Sequence, residues 1–203
     1  MTRLISERKI LKAIIVGVWN TPKRFNEYMP QRVVTNAQTQ LLMQNIAESK
    51  GEIRSDNYLR FLVRELKPFV DRTYRTLTDQ KDTVIMGSSM GGLISAYAVC
   101  EYPETFGGAG CVSTHWPAGD GIVIDYLNEH LPDVRTHKFY FDYGTETLDA
   151  NYEPYQQKMD KVMRNAGYRE GTNWVTKKFA GAEHSEGAWS KRVDVPLTFF
   201  LSF

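Results

Sequence analysis

The sequence predicts an α/β fold, in which helices cover both faces of a mostly parallel β-sheet. Short apolar segments rich in β-branched residues alternate with longer segments of helical periodicity along the chain. No internal repeat, low-complexity tract or linker-like stretch divides the 203 residues. This length suits one compact domain, so we expect residues 1–203 to form a single domain.

Five segments have the composition of buried strands, which are short, apolar and often β-branched. One of them runs directly into a cluster of Gly and Ser residues. The five predicted strands are residues 13–18, 83–86, 110–113, 139–141 and 174–179.

Helical patterns occupy the segments between these strands. Residues 36–50 are followed by Gly51, a residue type that often ends a helix. A second helix is expected to begin near Ser55-Asp56, and either residue can cap it. A third, over 90–102, stops before Pro103. The apolar face of the second helix consists of Leu59, Leu62, Val63, Leu66 and Phe69. Further helical segments are predicted around 122–130 and 154–166, and residues 193–203 close the chain.

The charge balance argues against a nucleic-acid-binding protein. Lys and Arg number 25 and Asp and Glu number 24, which gives a net charge of +1 at pH 7. Nucleic-acid binding usually needs a concentrated basic surface. The basic pairs Lys177-Lys178 and Lys191-Arg192 are therefore interpreted as solvated surface.

The two cysteines form neither a metal-binding nor a redox motif. Cys100 lies in a predicted helix and Cys111 in a predicted buried strand, and Cys is among the residue types most often buried. We interpret them as two buried thiols. The sequence implies no metal and no cofactor.

The sequence also bears on membrane association and compartment. No apolar stretch approaches the roughly 18 residues that a membrane span needs. Residues 1–7 are too polar to be a signal peptide. These features leave the compartment open, with a lean toward the cytoplasm.

The first motif that carries chemistry is Gly87-Ser88-Ser89-Met90-Gly91. A β-branched strand precedes it and a helix of small residues follows, which is the setting of a nucleophile elbow. Ser89 is the predicted nucleophile, and the Met90 N–H at the helix start is predicted to stabilise an oxyanion. Ser88 is predicted to be a packing or hydrogen-bonding neighbour. The alternative is a glycine-rich turn that binds phosphate or only packs.

The glycines of this segment have predicted steric roles. A sharp turn brings strand and helix close together, so Gly87 and Gly91 are expected to remove side chains that would collide. Gly92 is expected to let the helix pack closely against its neighbours.

A serine hydroxyl is a weak nucleophile and needs a base. The chain has four histidines. His184 lies in the loop after the last predicted strand, and in the fold that carries such an elbow the chain order is Ser, acid, His. His115 also follows a strand, but it leaves no strand-end acid between itself and Ser89. His184 is the predicted base, with His115 as a competitor, and His130 and His137 are predicted surface residues.

The acid is expected in the loop after the strand 139–141. Asp142 is still in that strand, and Glu153 already belongs to the following helix. Asp149 and Glu146 are the loop carboxylates that could orient the imidazole and stabilise the imidazolium. We predict Asp149, with Glu146 as the alternative acid. An exposed capping carboxylate is the other interpretation of either residue.

Several segments of the sequence share the pattern of a known family. They are Gly87-Ser88-Ser89-Met90-Gly91-Gly92-Leu93, Ser113-Thr114-His115-Trp116, the loop 142–149, residues 181–189 with Glu183-His184-Ser185-Glu186 and Trp189, and residues 16–21 with Arg24, Glu27 and Tyr28. Together they resemble the Putative esterase family, which includes esterase D, feruloyl esterases, siderophore trilactone esterases such as enterochelin esterase, and the mycolyltransferases. The resemblance covers nearly the whole chain.

The resemblance implies an α/β-hydrolase-like fold with Ser89 as nucleophile, His184 as base and Asp149 as acid. It also implies several strands before the equivalent of residues 13–18, one of which carries a loop that supplies a second oxyanion N–H. This chain starts too late to contain them. We therefore expect a sheet that lacks the usual N-terminal strands.

The shortened start has two expected consequences. The backbone N–H groups of Trp19 or Asn20 are the predicted substitutes for the second oxyanion donor. By the sheet order that the resemblance implies, a strand is missing between residues 13–18 and 83–86. Either these two strands pair directly, or a partner chain fills the gap, or the sequence is a fragment or a naturally short form. An unfilled sheet position leaves backbone groups unpaired at an edge, so we predict a homo-oligomer.

Tyr28, His115 and Trp116 are expected on loops near the catalytic edge. They could line an acyl or aromatic substrate pocket, and the alternative for Trp116 is an ordinary core position.

The function that the sequence predicts is that of a serine carboxylesterase, which hydrolyses a small-molecule carboxylic ester through an acyl-enzyme on Ser89. One alternative is acyl transfer by the same residues, with another alcohol in place of water. A second alternative, from a different class, is a non-catalytic binding protein with a hydrolase-like fold.

Overall fold

The structure is a computed structural model that describes residues 1–34 and 51–203 of the chain. The predicted helix over 36–50 lies outside the described residues. Within them, a parallel sheet forms the centre and helices pack on both of its faces, as the sequence predicts.

Four strands make up the sheet of the described part of the chain, and they lie side by side in chain order, all parallel. They are β1 (Val84–Ser88), β2 (Gly108–Val112), β3 (Lys138–Gly144) and β4 (Trp174–Phe179). The register pairs Ser88 with Val112 and Val112 with Asp142. The C-terminal ends of β1 and β2 therefore lie at the same edge of the sheet, beside Asp142 of β3, and the loops that follow them converge there.

Helices and short helical turns connect the strands. The α-helices are α1 (Thr2–Ser6), α2 (Arg24–Tyr28), α3 (Ser55–Phe61), α4 (Lys67–Thr73), α5 (Met90–Glu101), α6 (Ile122–His130), α7 (Glu153–Asn165), α8 (Glu186–Ser190) and α9 (Asp194–Leu201). The 3-10 turns are Gln31–Val33, Gln80–Asp82, Ala118–Gly121 and Thr147–Asn151.

The alternation of side chains along β3 explains why both faces are covered. Phe139 and Phe141 belong to the main core, where the Phe139 ring meets the Tyr168 ring edge-on at 5.5 Å between centroids. Tyr140 points to the opposite face and lies 6.3 Å from the ring of Phe199 in α9. Helix α5 packs against β1 and β2.

The helix predicted from Ser55 is interrupted by a π-helical turn, Leu62–Leu66, between α3 and α4. In this turn the Lys67 N–H donates to the Leu62 carbonyl, five residues earlier. The turn ends two residues before Pro68, which has no N–H to donate to the carbonyl four residues before it. The predicted apolar face is buried at Leu59 and Leu62, but Phe69 is 54% exposed.

The predicted buried strand at residues 13–18 is wrong. Residues 11–20 belong to no strand or helix, and Ile14 and Ile15 are 51% and 65% exposed. A β-branched run becomes a strand only when a neighbouring strand pairs with its backbone. Here a cavity lies between this segment and β1, the edge strand of the described sheet, and both line it. The homo-oligomer inferred from an unfilled edge stays a prediction.

The two cysteines are free thiols, as predicted. Cys111 is buried in β2, and Cys100, near the end of α5, is partly buried. Burial raises the pKa of both thiols, so both stay protonated at neutral pH.

Candidate active site

Ser89 lies in the sharp turn between β1 and α5. Its backbone has φ 57° and ψ −121°, a conformation that residues other than glycine rarely adopt. Such a residue carries strain of about 1–3 kcal/mol, which persists only where the surrounding structure holds it. Here the Ser89 N–H donates to the Val112 carbonyl, while the Ser89 carbonyl accepts from Gly92 and Leu93. The strand-to-helix turn therefore presents Ser89 at the edge where the strands end.

The glycines around Ser89 have two of the three steric roles predicted for them. A Cβ on Gly87 would lie 2.7 Å from the backbone carbonyl of Gly91, so the turn admits no side chain there. A Cβ on Gly92 would lie 2.7 Å from Oγ1 of Thr114, which confirms close packing of α5. For Gly91 the prediction is wrong, because a Cβ on this residue would meet nothing within 4 Å.

Three predicted site residues form one chain of hydrogen bonds. The Nε2 of His184 lies 2.9 Å from Oγ of Ser89, and its Nδ1 lies 2.6 Å from Oδ1 of Asp149. The side chains of His184 and Asp149 are 9% and 0% exposed. The turn after β1, the loop after β3 and the loop after β4 supply the three residues, because the strands are parallel and end at one edge.

Asp149 is buried and fully hydrogen-bonded. Its Oδ2 accepts the Ser113 hydroxyl at 2.6 Å and the Gly144 N–H at 2.6 Å. Burial alone would raise the pKa of this carboxyl, but the hydrogen bonds from His184, Ser113 and Gly144 outweigh burial and lower the pKa. Asp149 is therefore ionised at neutral pH, and Nδ1 of His184 carries the proton between them.

Two aromatic side chains and one backbone contact orient His184. The rings of Tyr152 and Trp189 both meet the imidazole edge-on, at centroid distances of 5.6 and 4.9 Å. The His184 N–H donates to Oγ1 of Thr147 at 2.8 Å. These contacts leave the imidazole little rotational freedom, which favours one stable geometry toward Ser89.

His115, the competing base in the sequence, has a different hydrogen-bond partner. Its Nδ1 lies 2.6 Å from the hydroxyl of Tyr152, while its backbone N–H donates to the Ser89 carbonyl. Burial lowers the pKa of His115, and the neighbouring His184 lowers it further. His115 is thus a neutral side chain beside the site, and the imidazole that reaches the Ser89 hydroxyl belongs to His184.

The remaining acid and histidine candidates lie away from this hydrogen-bond chain. Glu146 is exposed and accepts a hydrogen bond from Thr145. His130 is exposed, as predicted. His137 is not a surface residue: it is 5% exposed and contacts the Pro103 carbonyl, so that prediction is wrong.

A cavity of about 1180 Å³ opens at Ser89 and His184 and extends along β1, the edge strand of the described sheet. Tyr28, His115 and Asn20, all predicted near the site, line this cavity. Trp116 does not belong to such a pocket: it is 1% exposed and donates its indole N–H to Gln156. The core alternative for Trp116 is the one that the structure supports.

Of the three predicted oxyanion donors, Met90 has the position expected of it, whereas Trp19 and Asn20 do not lie at a strand end. Met90 is the first residue of α5, where an N–H has no carbonyl partner within the helix, and Met90 also lines the cavity. Trp19 and Asn20 are not at a strand end, since residues 11–20 form no strand. The Trp19 side chain is 94% exposed. The second donor therefore stays a prediction.

Arg192, Ser113 and Asp142 are site neighbours whose present roles were not predicted. Arg192 was interpreted as part of a solvated basic pair, yet it is 5% exposed and pairs with Asp142 at 2.9 Å. Burial raises the pKa of Asp142, and Arg192 partly opposes this rise. One feature of the sequence could have indicated this contact. Asp142 is a carboxylate in a buried strand, and a buried carboxylate requires a cationic or hydrogen-bonding partner.

Gly144 offers a test of how tightly the site is packed. A Cβ at this position would overlap the carbonyl oxygen of Ala182 in the His184 loop and lie 3.0 Å from Oδ2 of Asp149. We expect Gly144→Ala to lower the free energy of unfolding by about 2–3 kcal/mol, measured by urea denaturation. In the control Gly17→Ala, the new Cβ meets nothing within 4 Å, so a change below about 0.5 kcal/mol is expected. Equal unfolding midpoints for the two variants would contradict this packing.

The described residues contain neither a metal-binding cluster nor a membrane-spanning helix. Across 1–34 and 51–203, no group of three or more His, Cys, Asp or Glu side chains is arranged to hold a metal ion. None of the helices described there combines the length and the apolarity that crossing a bilayer requires.

Sequence comparison identifies a family. The Esterase family, described as "Putative esterase", matches residues 1–195. The uncharacterized protein YjcH of Bacillus subtilis is 26% identical over 150 residues, which are 73% of this chain and 52% of that protein. The chain spans about half the length of the curated relatives it matches.

Structural comparison identifies the fold. An IroE-like serine hydrolase from Shewanella oneidensis is similar with a TM-score of 0.70 at 17% identity, over 95% of this chain and 61% of that chain. The enterobactin esterase FES from Shigella flexneri is similar with a TM-score of 0.69 at 18% identity, over 98% of this chain and 46% of that chain. The fold is that of the α/β-hydrolases, as the sequence predicts.

Proposed function

Because the chain belongs to the Putative esterase family, we propose that it hydrolyses a carboxylic ester, with Ser89 as nucleophile, His184 as general base and Asp149 as the acid of a catalytic triad. The observation that carries this proposal is the hydrogen-bond chain from Asp149 through His184 to Ser89. The positive φ of Ser89 in the turn between β1 and α5 supports the proposal, because a nucleophile elbow is expected to have such a strained turn.

The first half of the reaction acylates Ser89. The Ser89 oxygen attacks the ester carbonyl carbon while its proton moves to Nε2 of His184. Ionised Asp149 stabilises the resulting imidazolium through Nδ1. The Met90 N–H stabilises the negative charge on the carbonyl oxygen. The tetrahedral intermediate then expels the alcohol, which takes its proton from Nε2 of His184.

The second half returns the free enzyme. A water molecule gives a proton to Nε2 of His184 and attacks the acyl carbon. The carbon–oxygen bond to Ser89 then breaks, and the Ser89 oxygen recovers the proton from His184. The products are a carboxylic acid and the free serine hydroxyl, so no external oxidant, reductant or cofactor enters the balance.

The cavity supports an ester with a bulky acyl or alcohol group. Its volume of about 1180 Å³ exceeds the range of roughly 300–1,000 Å³ that is typical of small-molecule sites. Apolar side chains such as Ile94, Leu148 and Phe25 line it, together with the polar side chains of Arg24 and Asn20. We therefore expect kcat/KM to rise from acetyl esters to larger aryl esters.

The experiment is a panel of acetyl, butyryl and aryl esters of p-nitrophenol, with hydrolysis measured on the purified chain. We expect nitrophenol release in proportion to protein concentration and inactivation by a fluorophosphonate, which reacts with activated serine hydroxyls. A folded protein that hydrolyses none of these esters above the buffer rate contradicts the proposal and favours a binding protein. Product analysis with an added alcohol separates hydrolysis from acyl transfer.

A further inference from the structure

A hydrogen-bonded group of side chains meets Asp149 at Oδ2, the carboxylate oxygen that does not face His184. Its centre is the hydroxyl of Ser113, the residue that follows β2 and has φ 41°. Three side chains meet this hydroxyl: Asp149 Oδ2 at 2.6 Å, Arg192 Nη2 at 2.7 Å and Trp189 Nε1 at 3.0 Å. Ser113 is 0% exposed, so no bulk water competes for these bonds.

The direction of each of these bonds follows from the chemistry of the groups. The guanidinium of Arg192 and the indole N–H of Trp189 can only donate, so they occupy both acceptor sites of the Ser113 oxygen. The single hydroxyl hydrogen of Ser113 is then left for the carboxylate of Asp149. The orientation of this hydroxyl is therefore determined by its two donors.

Arg192 is itself held in one position. Its Nη2 also donates to Oδ1 of Asp142 at 2.9 Å, and its guanidinium lies over the ring of Phe179 at 4.9 Å. In the part of the chain that the structure describes, its Nε and Nη1 have no hydrogen-bond partner. The polar contacts of this buried cation are thus concentrated on Ser113 and Asp142.

We propose that Ser113 is a positioning residue, whose hydroxyl, oriented by Arg192 and Trp189, holds Asp149 with Oδ1 facing Nδ1 of His184. This inference rests on the proposed function, because it assigns Ser113 a part in the same reaction. In the described residues, the hydroxyl of Ser113 is hydrogen-bonded to Asp149, Trp189 and Arg192 and not to Ser89. It acts through Asp149, and Arg192 acts through Ser113.

The proposal has a consequence for the pH dependence of the reaction. The titratable side chains around Asp149 come from several elements and are His115, Asp142, Tyr152, His184 and Arg192. Removing the Ser113 donor leaves the negative charge on Asp149 less stabilised, which raises the proton affinity of the His184–Asp149 pair, whichever group takes the proton. The acid limb of kcat/KM then moves to higher pH.

The test is a series at one position, Ser113→Ala and Ser113→Cys. Ser113→Ala is expected to lower kcat about 10- to 100-fold with KM within twofold, and to move the acid limb of kcat/KM up by about one pH unit. Ser113→Cys keeps an acceptor and a weak donor, so its effects should be intermediate. The matched control is Ser55→Ala, which removes another buried serine hydroxyl that accepts a hydrogen bond from Gln31. It should lower the melting temperature but leave kcat and the acid limb unchanged.

A double-mutant cycle tests the order in which the residues act. Arg192→Met combined with Asp142→Asn removes both buried charges. This pair of substitutions should lower kcat when Ser113 is present, but it should cause no further loss when it is added to Ser113→Ala. If Ser113→Ala does not fold, the same test is made with Ser113→Cys and with the Arg192→Met/Asp142→Asn pair. Both should lower kcat and move the acid limb of kcat/KM to higher pH. Wild-type kcat and an unmoved acid limb in folded Ser113 variants overturn the inference. Activity that survives Ser89→Ala would instead overturn the proposed function, so the two failures are distinguishable.

Discussion

Replacing Ser89 with alanine is expected to lower kcat/KM for a carboxylic ester by at least about 10⁴-fold. The variant lacks the oxygen that attacks the carbonyl, and no other hydroxyl is hydrogen-bonded to Nε2 of His184 in the described residues. The fold should survive, because in the described residues the Ser89 hydroxyl has one hydrogen-bond partner, His184, and the smaller side chain creates no overlap. The measurement is steady-state hydrolysis of an aryl ester, with circular dichroism to check the fold.

Ser88→Ala is the matched control for this variant. It removes a serine hydroxyl from the adjacent residue, at the end of β1, where the register pairs Ser88 with Val112. We expect less than a tenfold change in kcat/KM. A loss in Ser88→Ala equal to that in Ser89→Ala would mean that the nucleophile has been assigned to the wrong serine.

His184→Ala is expected to lower kcat/KM about 10³- to 10⁴-fold, because general-base catalysis is lost while Ser89 stays in its turn. The cavity vacated by the imidazole lies between Tyr152 and Trp189. Added imidazole should therefore bind there and restore part of the rate. The measurement is kcat/KM against imidazole concentration at constant pH.

His115→Ala is the comparison that decides between the two candidate bases. His115 lines the cavity but has its Nδ1 on the Tyr152 hydroxyl, so we expect a loss of no more than about tenfold and no rescue by imidazole. Should His115→Ala lose more activity than His184→Ala, the assignment of His184 as base would be wrong.

The fold was predictable from the sequence wherever a strand has neighbours on the sheet. Four predicted strands exist with bounds no more than three residues from those expected, and 174–179 matches at both ends. Each of these apolar segments pairs in parallel with a neighbouring strand. The run at 13–18 has the same composition, but among the described residues no strand pairs with it, and Ile15 is 65% exposed. The residue pattern of a segment shows its preference for the β conformation, whereas strand formation also depends on a neighbouring strand to pair with.

The residues of the candidate site were predictable from the sequence where two features determine them, namely their order along the chain and their position after a strand. Ser89, His184 and Asp149 meet because each follows one of three parallel strands, which all end at one edge of the sheet. The position of each residue after a predicted strand can be seen in the sequence. Ser113 and Arg192 were not predictable in this way. Their contact joins residues 79 positions apart and depends on side-chain directions after the turns, and Arg192 beside Lys191 resembles an ordinary basic surface pair.

The pocket residues illustrate the same limit. Tyr28 and His115 line the cavity, whereas Trp116, next to His115 in the sequence, points into the core against Phe141. Adjacent residues in a loop can face opposite ways, and only the backbone geometry decides which one meets a ligand.

The most direct test of the central claim is to trap the acyl-enzyme. The protein is mixed with a p-nitrophenyl ester, quenched in acid within milliseconds to seconds, and analysed by intact-mass and peptide mass spectrometry. The account predicts one acyl group per chain, located on Ser89, with a burst of nitrophenol of matching size whenever deacylation is the slower step. Turnover of the ester with no covalent adduct at any quench time, or an adduct on a residue other than Ser89, would contradict it.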